Sequence, residues 1–205
     1  MTQNVPQETR ASPVARKSLG LTALLDPLRS DRTSTVLDLG PALEGNVRFW
    51  SQFYCRLHIL DFYRSYREWK AAAGPEEKSE EAAFSALLTF GDETVFDIIL
   101  AWDLFNYFDL RVLETLARRL SRWSRPGTRL FALISSLPNI PALPTLFRIL
   151  NREQMTHEIP TQETRPGPRH QPRDILRLMA RFTVAGSFLL HHGIQEYVFE
   201  FKEAL

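Results

Sequence analysis

The sequence predicts an α/β fold, a doubly wound, mostly parallel sheet of about six or seven strands that ends in a C-terminal antiparallel hairpin. Three observations carry that prediction. In the stretch 34–61, STVLDLGPALEGNVRFWSQFYCRLHILD, an apolar run (Val36, Leu37, Leu39) is followed by a glycine turn, a segment long enough for one helix, and a second apolar run (Leu57, Ile59, Leu60). Two buried strands joined by a short helix make a parallel βαβ unit. The segment FDIILAW (Phe96–Trp102) is apolar throughout, as a strand covered on both faces must be. Finally, strand-like runs over 182–190 and 194–201 are separated only by His191, His192 and Gly193, too few residues for a crossover, so they pair antiparallel.

Composition narrows the class. With 205 residues, 44% of them hydrophobic, the chain suffices for one domain with a sizeable core. Lys and Arg number 25 against 24 Asp and Glu, so net charge gives no reason to expect binding to nucleic acid or to an anionic membrane. The single cysteine, Cys55, excludes an internal disulfide framework and a multi-cysteine zinc site, suits a reducing cytoplasm, and reads as a small buried hydrophobe. No apolar run approaches the roughly 18 residues a membrane span needs, and a cytoplasmic protein is expected. Residues 1–17, polar with two prolines, read as a disordered tail before a domain over 18–205.

Taken in order, Leu19, Leu21, Leu24, Leu25 and Leu28 recur at helical spacing and predict a helix ahead of the first strand. The loop after that strand holds Gly40, Pro41, Ala42, Gly45 and Asn46. Asp61 follows Gly40 by 21 positions, and an acidic residue roughly 20 past the glycine turn is placed to accept hydrogen bonds from a ribose. An aromatic and basic helix from Phe62 stops at Gly74 and Pro75. A further helix over 75–88 then leaves only 87–90 for a third strand, which is stunted or absent. After Trp102 and Asp103 comes an aromatic turn and an amphipathic helix, with Leu113, Leu116, Ala117 and Leu120 on one face and Arg111, Glu114, Arg118 and Arg122 on the other. Pro126 and Gly127 lead into a strand over 130–134. The segment 137–172 holds 7 of the 13 prolines together with Arg148, Arg152, Arg165 and Arg169, and reads as an insertion or lid over the sheet's carboxyl edge, with one short helix over 146–150 in otherwise loose structure. A helix over 172–181 precedes the hairpin.

The motif VLDLGPALEGN resembles the first motif of class I S-adenosylmethionine-dependent methyltransferases, in which an acidic residue precedes a run of glycines. Asp38 and Gly40 match it, Ala42 stands where the second glycine usually falls, and Gly45 comes one place late. The block AWDLFNYFDLRVLETLARRLSRWSRPGTRLFALISS is similar to the family's central block along its whole length. The resemblance covers roughly 19–136 and the final hairpin. It implies S-adenosylmethionine as cofactor and a small-molecule acceptor, with the cofactor framed by Asp38, Gly40, Pro41, Ala42, Gly45, Asp61, Trp102 and Asp103. It further implies an apolar Phe62 on the adenine and Asp92 at the base. The signature of enzymes that methylate amino groups of bases or glutamine is absent. The same residues also admit a non-catalytic interaction or regulatory module of this fold, its decayed loop and Arg/Pro-rich lid serving as contact surface.

A sulfonium donor is activated by its own charge, so a catalytic triad is not required. A protonated acceptor benefits from a base, and the candidates are Asp103, His191, His192 and His157. Asp103 has the alternative task of capping the helix that follows it. No His, Cys or carboxylate set has metal-ligand spacing, so no metal is expected.

Overall fold

The computed structural model describes residues 14–28, 31–74, 79–168, 170–190 and 193–202. The described part of the expected tail is not loose: β1 (Arg16–Lys17) pairs antiparallel with a strand of the insertion. Ser18 then caps α1 (Leu19–Leu25), its hydroxyl accepting from Leu21 N at 2.9 Å. The βαβ unit forms as read, with β2 (Ser34–Asp38), α2 (Glu44–Trp50) and β3 (Cys55–Ile59). Asp61 caps α3 (Phe62–Ala72). Ser79 caps α4 (Glu80–Leu87), which is shorter than the expected 75–88 because the cap fixes its start; residues 75–78 lie outside the described residues.

β4 (Phe96–Trp102) is followed by a 3₁₀ turn at Leu104–Tyr107 and by α5 (Leu110–Leu120). Asp109, not Asp103, caps α5, accepting from Val112 N at 3.0 Å. Arg118 and Arg119 of α5 both reach Glu81 of α4, tying the two helices together. β5 (Ser124–Ser135) is longer than predicted and starts through Gly127, whose φ of 91° only glycine adopts without strain. After α6 (Pro172–Leu178), β10 (Phe182–Leu189) and β11 (Ile194–Phe201) form the expected hairpin.

The main sheet has the order β10-β11-β5-β4-β2-β3, with β3, β2, β4 and β5 parallel and the hairpin antiparallel beside β5. Both faces are covered, so the sheet is doubly wound. One face carries the cluster around Leu37, Phe62, Phe84, Ile99, Leu113 and Phe199. The other holds Leu21, Leu24, Trp50, Leu100, Phe131 and Val198. The doubtful third strand does not form, and β3 is the sheet's edge. Phe90 instead packs edge-on against His58, Phe96 and Trp123, and Leu88 is buried in the core, so the segment's apolar side chains go to packing.

The insertion is where the structure departs most from expectation. Residues 146–150 are not helical: Leu146–Ile149 form β7, paired antiparallel with β8 (Gln154–Glu158). Phe147 and Ile149 are buried while Leu146 and Arg148 are half-exposed, so the segment has period 2 rather than 3.6. β1, β8 and β7 make a three-stranded sheet, and β6 (Asn139–Pro141) pairs with β9 (Thr164–Pro166). The loose structure expected here is largely built. No helix among the described residues is long and apolar enough to cross a membrane.

Candidate active site at the carboxyl edge of the sheet

The carboxyl ends of β2, β3, β4 and β5 bring Asp38, Asp61, Trp102 and Asp103 to one edge. Asp38 is 1% exposed, and its Oδ1 accepts from Gly40 N at 2.9 Å and from Trp102 Nε1 at 2.7 Å. Burial pushes its carboxyl up to about 6, against the pull of those hydrogen bonds. Trp102 has φ 48°, left-handed backbone that costs a bulky residue of order 1–2 kcal/mol and persists only where its surroundings over-determine it. Its surroundings do so: the indole donates to Asp38 and stacks on Phe147 with centroids 5.4 Å apart and planes 7° from parallel. A Cβ on Gly40 would lie 3.0 Å from the indole Cδ1, so the missing side chain at Gly40 makes room for Trp102.

Phe147 is held by a latch. The buried Asn46 donates from Nδ2 to Phe147 O at 3.0 Å and accepts from Ile149 N at 2.9 Å, gripping β7 as a neighbouring strand would. Next to it, Thr145 N donates to Asp103 Oδ2 at 3.0 Å. Burial pushes the Asp103 carboxyl up to about 6 as well. The space left between Gly40, Asn46, Trp102, Asp103 and Phe147 is about 20 Å³, room for about one water and no more.

The outer half of the edge is open. A cleft of about 500 Å³ is lined by Pro41, Asp61, Tyr63, Arg64, Arg67 and Leu143, among others. Asp61 Oδ1 accepts from Arg64 N at 3.2 Å, and its other oxygen lies 3.6 Å from Arg64 Nε. Arg67 donates to Tyr63 Oη at 3.2 Å. On the far side of Thr145 and Phe147 is a third space, of about 170 Å³, bordered by Asp103, Tyr107, Arg16 and His157. Burial, followed by the Asp103 charge, raises the Tyr107 phenol. Burial, followed by Arg16, lowers the His157 imidazole.

Of the residues the sequence nominated, Asp38, Gly40, Pro41, Asp61, Trp102 and Asp103 converge here. Phe62 does not: it is fully buried among Tyr66, Phe84 and Phe108, and its neighbour Tyr63 faces the crevice instead. Asp92 is exposed in the turn that enters β4 at the strand's amino end, away from this edge, as follows once the third strand is missing. Ala42 is exposed and its φ is not positive. Gly45 lies in the first turn of α2, where a Cβ would meet Arg148 at an ordinary 3.8 Å, so it has not taken over a left-handed turn from Ala42. His191 and His192 lie outside the described residues. Sequence reasoning missed Asn46, Thr145 and Phe147; the alternation of Phe147 and Ile149 was the available signal.

No protein-family profile and no curated protein matches the chain. Among solved structures it is similar to the PH0226 protein from Pyrococcus horikoshii OT3, with TM-score 0.50, 16% identity, and 87% of this chain and 88% of that one covered. The glycopeptide N-methyltransferase MtfA, crystallised with S-adenosyl-L-methionine, follows at TM-score 0.48 and 12% identity, covering 97% and 100%. The 1,6-didemethyltoxoflavin-N1-methyltransferase from Burkholderia thailandensis stands at TM-score 0.48 and 14% identity, covering 90% and 77%.

Proposed function

We propose that this chain, which has the class I methyltransferase fold, is an S-adenosylmethionine-dependent methyltransferase for a small-molecule acceptor, with the segment 143–149 as the gate of its donor crevice. The observation that carries the reading is Asp61. Its carboxylate closes the second parallel strand, caps α3 and lines a 500 Å³ cleft at the carboxyl edge, where folds of this kind bind nucleosides. With Tyr63 and Pro41 beside it, this outer half suits a ribose and a base.

The inner half does not fit the donor as it stands. The place beside Gly40 is filled by Trp102 and Phe147, and 20 Å³ admits no part of an amino-acid moiety. Withdrawal of β7, held by Asn46 and by Asp103 through Thr145, is therefore a condition of binding on this reading. The apparent affinity falls in proportion to the open fraction. Asp103, shared by the crevice and the inner cavity and with its carboxyl raised to about 6, is the group suited to take a proton from an acceptor near neutral pH.

A second reading, a non-catalytic module of the same fold, is favoured by that same filled space. Titration of S-adenosylhomocysteine by calorimetry separates the two. The enzyme reading expects binding by the parent that weakens about tenfold or more in Asp61→Ala, the loss of hydrogen bonds to a charged group. Equal affinity in parent and variant removes Asp61 from the site. Heat from neither at millimolar ligand favours the module.

A further inference from the structure

We infer that the 170 Å³ cavity between the insertion sheet and the main-sheet edge is a binding site for a small aromatic carboxylic acid bearing a hydroxyl or amino group, its carboxylate on Arg16 and His157 and its hydroxyl or amine at Asp103. As a statement of what the acceptor is, this rests on the methyltransferase reading; as a binding site it stands alone.

The cavity has a charged roof and a charged floor. The roof is the insertion sheet, where Arg16 on β1 and His157 on β8 both face the space. Arg16 Nε and His157 Nδ1 are buried without a hydrogen-bond partner, and leaving such groups unpaired is costly enough that proteins rarely do it without a use. Arg16 feels Glu196, but Glu196 Oε2 is taken by Gly20 N at 2.7 Å and Oε1 is itself without a partner, so the two unpaired atoms do not satisfy each other. A planar guanidinium with a free N–H edge selects a carboxylate, which it meets with two parallel hydrogen bonds. The floor is the end of β4, where Asp103 borders the cavity and presents an acceptor to a hydroxyl or amine.

Between roof and floor the walls are mostly apolar, with Leu133, Leu137, Ile140, Phe147, Ile159 and Ile194 outweighing Ser135 and Asn139. They demand an apolar body between the ligand's two polar ends. A volume of 170 Å³ equals about five to six waters at their liquid volume, room for one substituted six-membered ring and little more. Asn106 is not available as a further contact, since its amide is used at both ends by Leu133 O and Ser135 N.

Because Phe147 and Thr145 form the wall shared with the narrow crevice, the group that meets Asp103 sits next to the place the gate closes. This puts the ligand's hydroxyl or amine, and not its carboxylate, nearest the donor side.

The test is titration of the full chain with 4-hydroxybenzoate and with its uncharged amide, followed by NMR of the protein without donor. The acid is expected to bind about tenfold to a hundredfold more tightly than the amide. Arg16→Met should abolish most of that difference by weakening the acid far more than the amide, whose carbonyl loses only a neutral hydrogen bond, and Arg16→Lys should restore part of it. Circular dichroism checks that both variants are folded. Equal binding of acid and amide by the parent, or no binding of either at millimolar concentration, overturns the inference. So does an Arg16→Met protein that melts lower yet keeps the acid's preference, since Arg16 is then only the partner of Glu196. Acid binding without binding of S-adenosylhomocysteine keeps the site and removes the methyltransferase reading. Binding of S-adenosylhomocysteine without binding of the acid does the reverse.

Discussion

One sheet edge is built in two opposite ways. At its outer end Asp61 faces a 500 Å³ cleft, its side chain 21% exposed and its backbone partner only the next helical turn. At its inner end, a few residues away, Asp38 and Asp103 are walled in, Asp38 Oδ1 held by Gly40 and Trp102 and Asp103 Oδ2 by Thr145, and 20 Å³ remains. Burying a carboxylate is costly unless it finds donors, and here the chain itself supplies them to one oxygen of each. The difference teaches that an acidic residue and a glycine at the end of a parallel strand can serve internal packing, Asp38 and Gly40 being spent on Trp102.

The largest effect that would break the comparison comes from the gate's own side chain. Phe147→Ala removes a buried ring stacked on Trp102, and a loss of about 3–4 kcal/mol in urea denaturation is expected. A loss below about 1 kcal/mol would mean that the ring seals nothing. Asn46→Ala comes next. It leaves Phe147 O and Ile149 N without partners, for an expected cost of about 2–3 kcal/mol. Hydrogen exchange should then quicken at Ile149 and not in β2.

The buried carboxylates give a pH signature. With Asp38 and Asp103 raised to about 6 from the ordinary 3.8, the folded chain holds protons between about pH 4 and 6 that the unfolded chain has released. Their contribution to stability is thus present at low pH and lost as pH rises through 6. Asp38→Asn removes one of these titrations. The variant should gain on the parent by about 2 kcal/mol between pH 4.5 and 7.5, given about 1.4 kcal/mol per pKa unit. A constant difference across that range would show that Asp38 is not held as described. Asp61→Ala sits at the small end for stability. It loses a helix cap worth about 1 kcal/mol, and the melting temperature should drop only slightly.

Much of this was legible in the sequence where local chemistry and periodicity agree. The βαβ unit, the strand Phe96–Trp102 and the hairpin each rest on apolar runs bounded by turn residues. The insertion was not, because a four-residue run such as Leu146–Ile149 is equally helical or extended until a partner is found. Its neighbour β8 at 154–158 is close in sequence, but Asn46, which grips its other edge, lies a hundred positions earlier. Phe62 was expected at the crevice, but Asp61 caps α3, and the helix then turns Phe62 inward and Tyr63 to the crevice. The resemblance put Asp92 at the base, beyond a strand over 87–90 read as stunted or absent; that strand does not form, and Phe90 packs on Phe96 and Trp123. Gly40 was recognised, but its reason, the indole of Trp102, depends on a contact 62 residues away.

The gate is the central claim, and the direct measurement is a calorimetric titration of S-adenosylhomocysteine into the parent and into Phe147→Ala side by side. If the inner crevice is a donor site closed by Phe147, the variant binds at least about tenfold more tightly than the parent, since the closed population no longer competes. If the variant is folded and binds no more tightly than the parent, or if neither binds, Phe147 is part of a permanent core and the crevice is not a donor site.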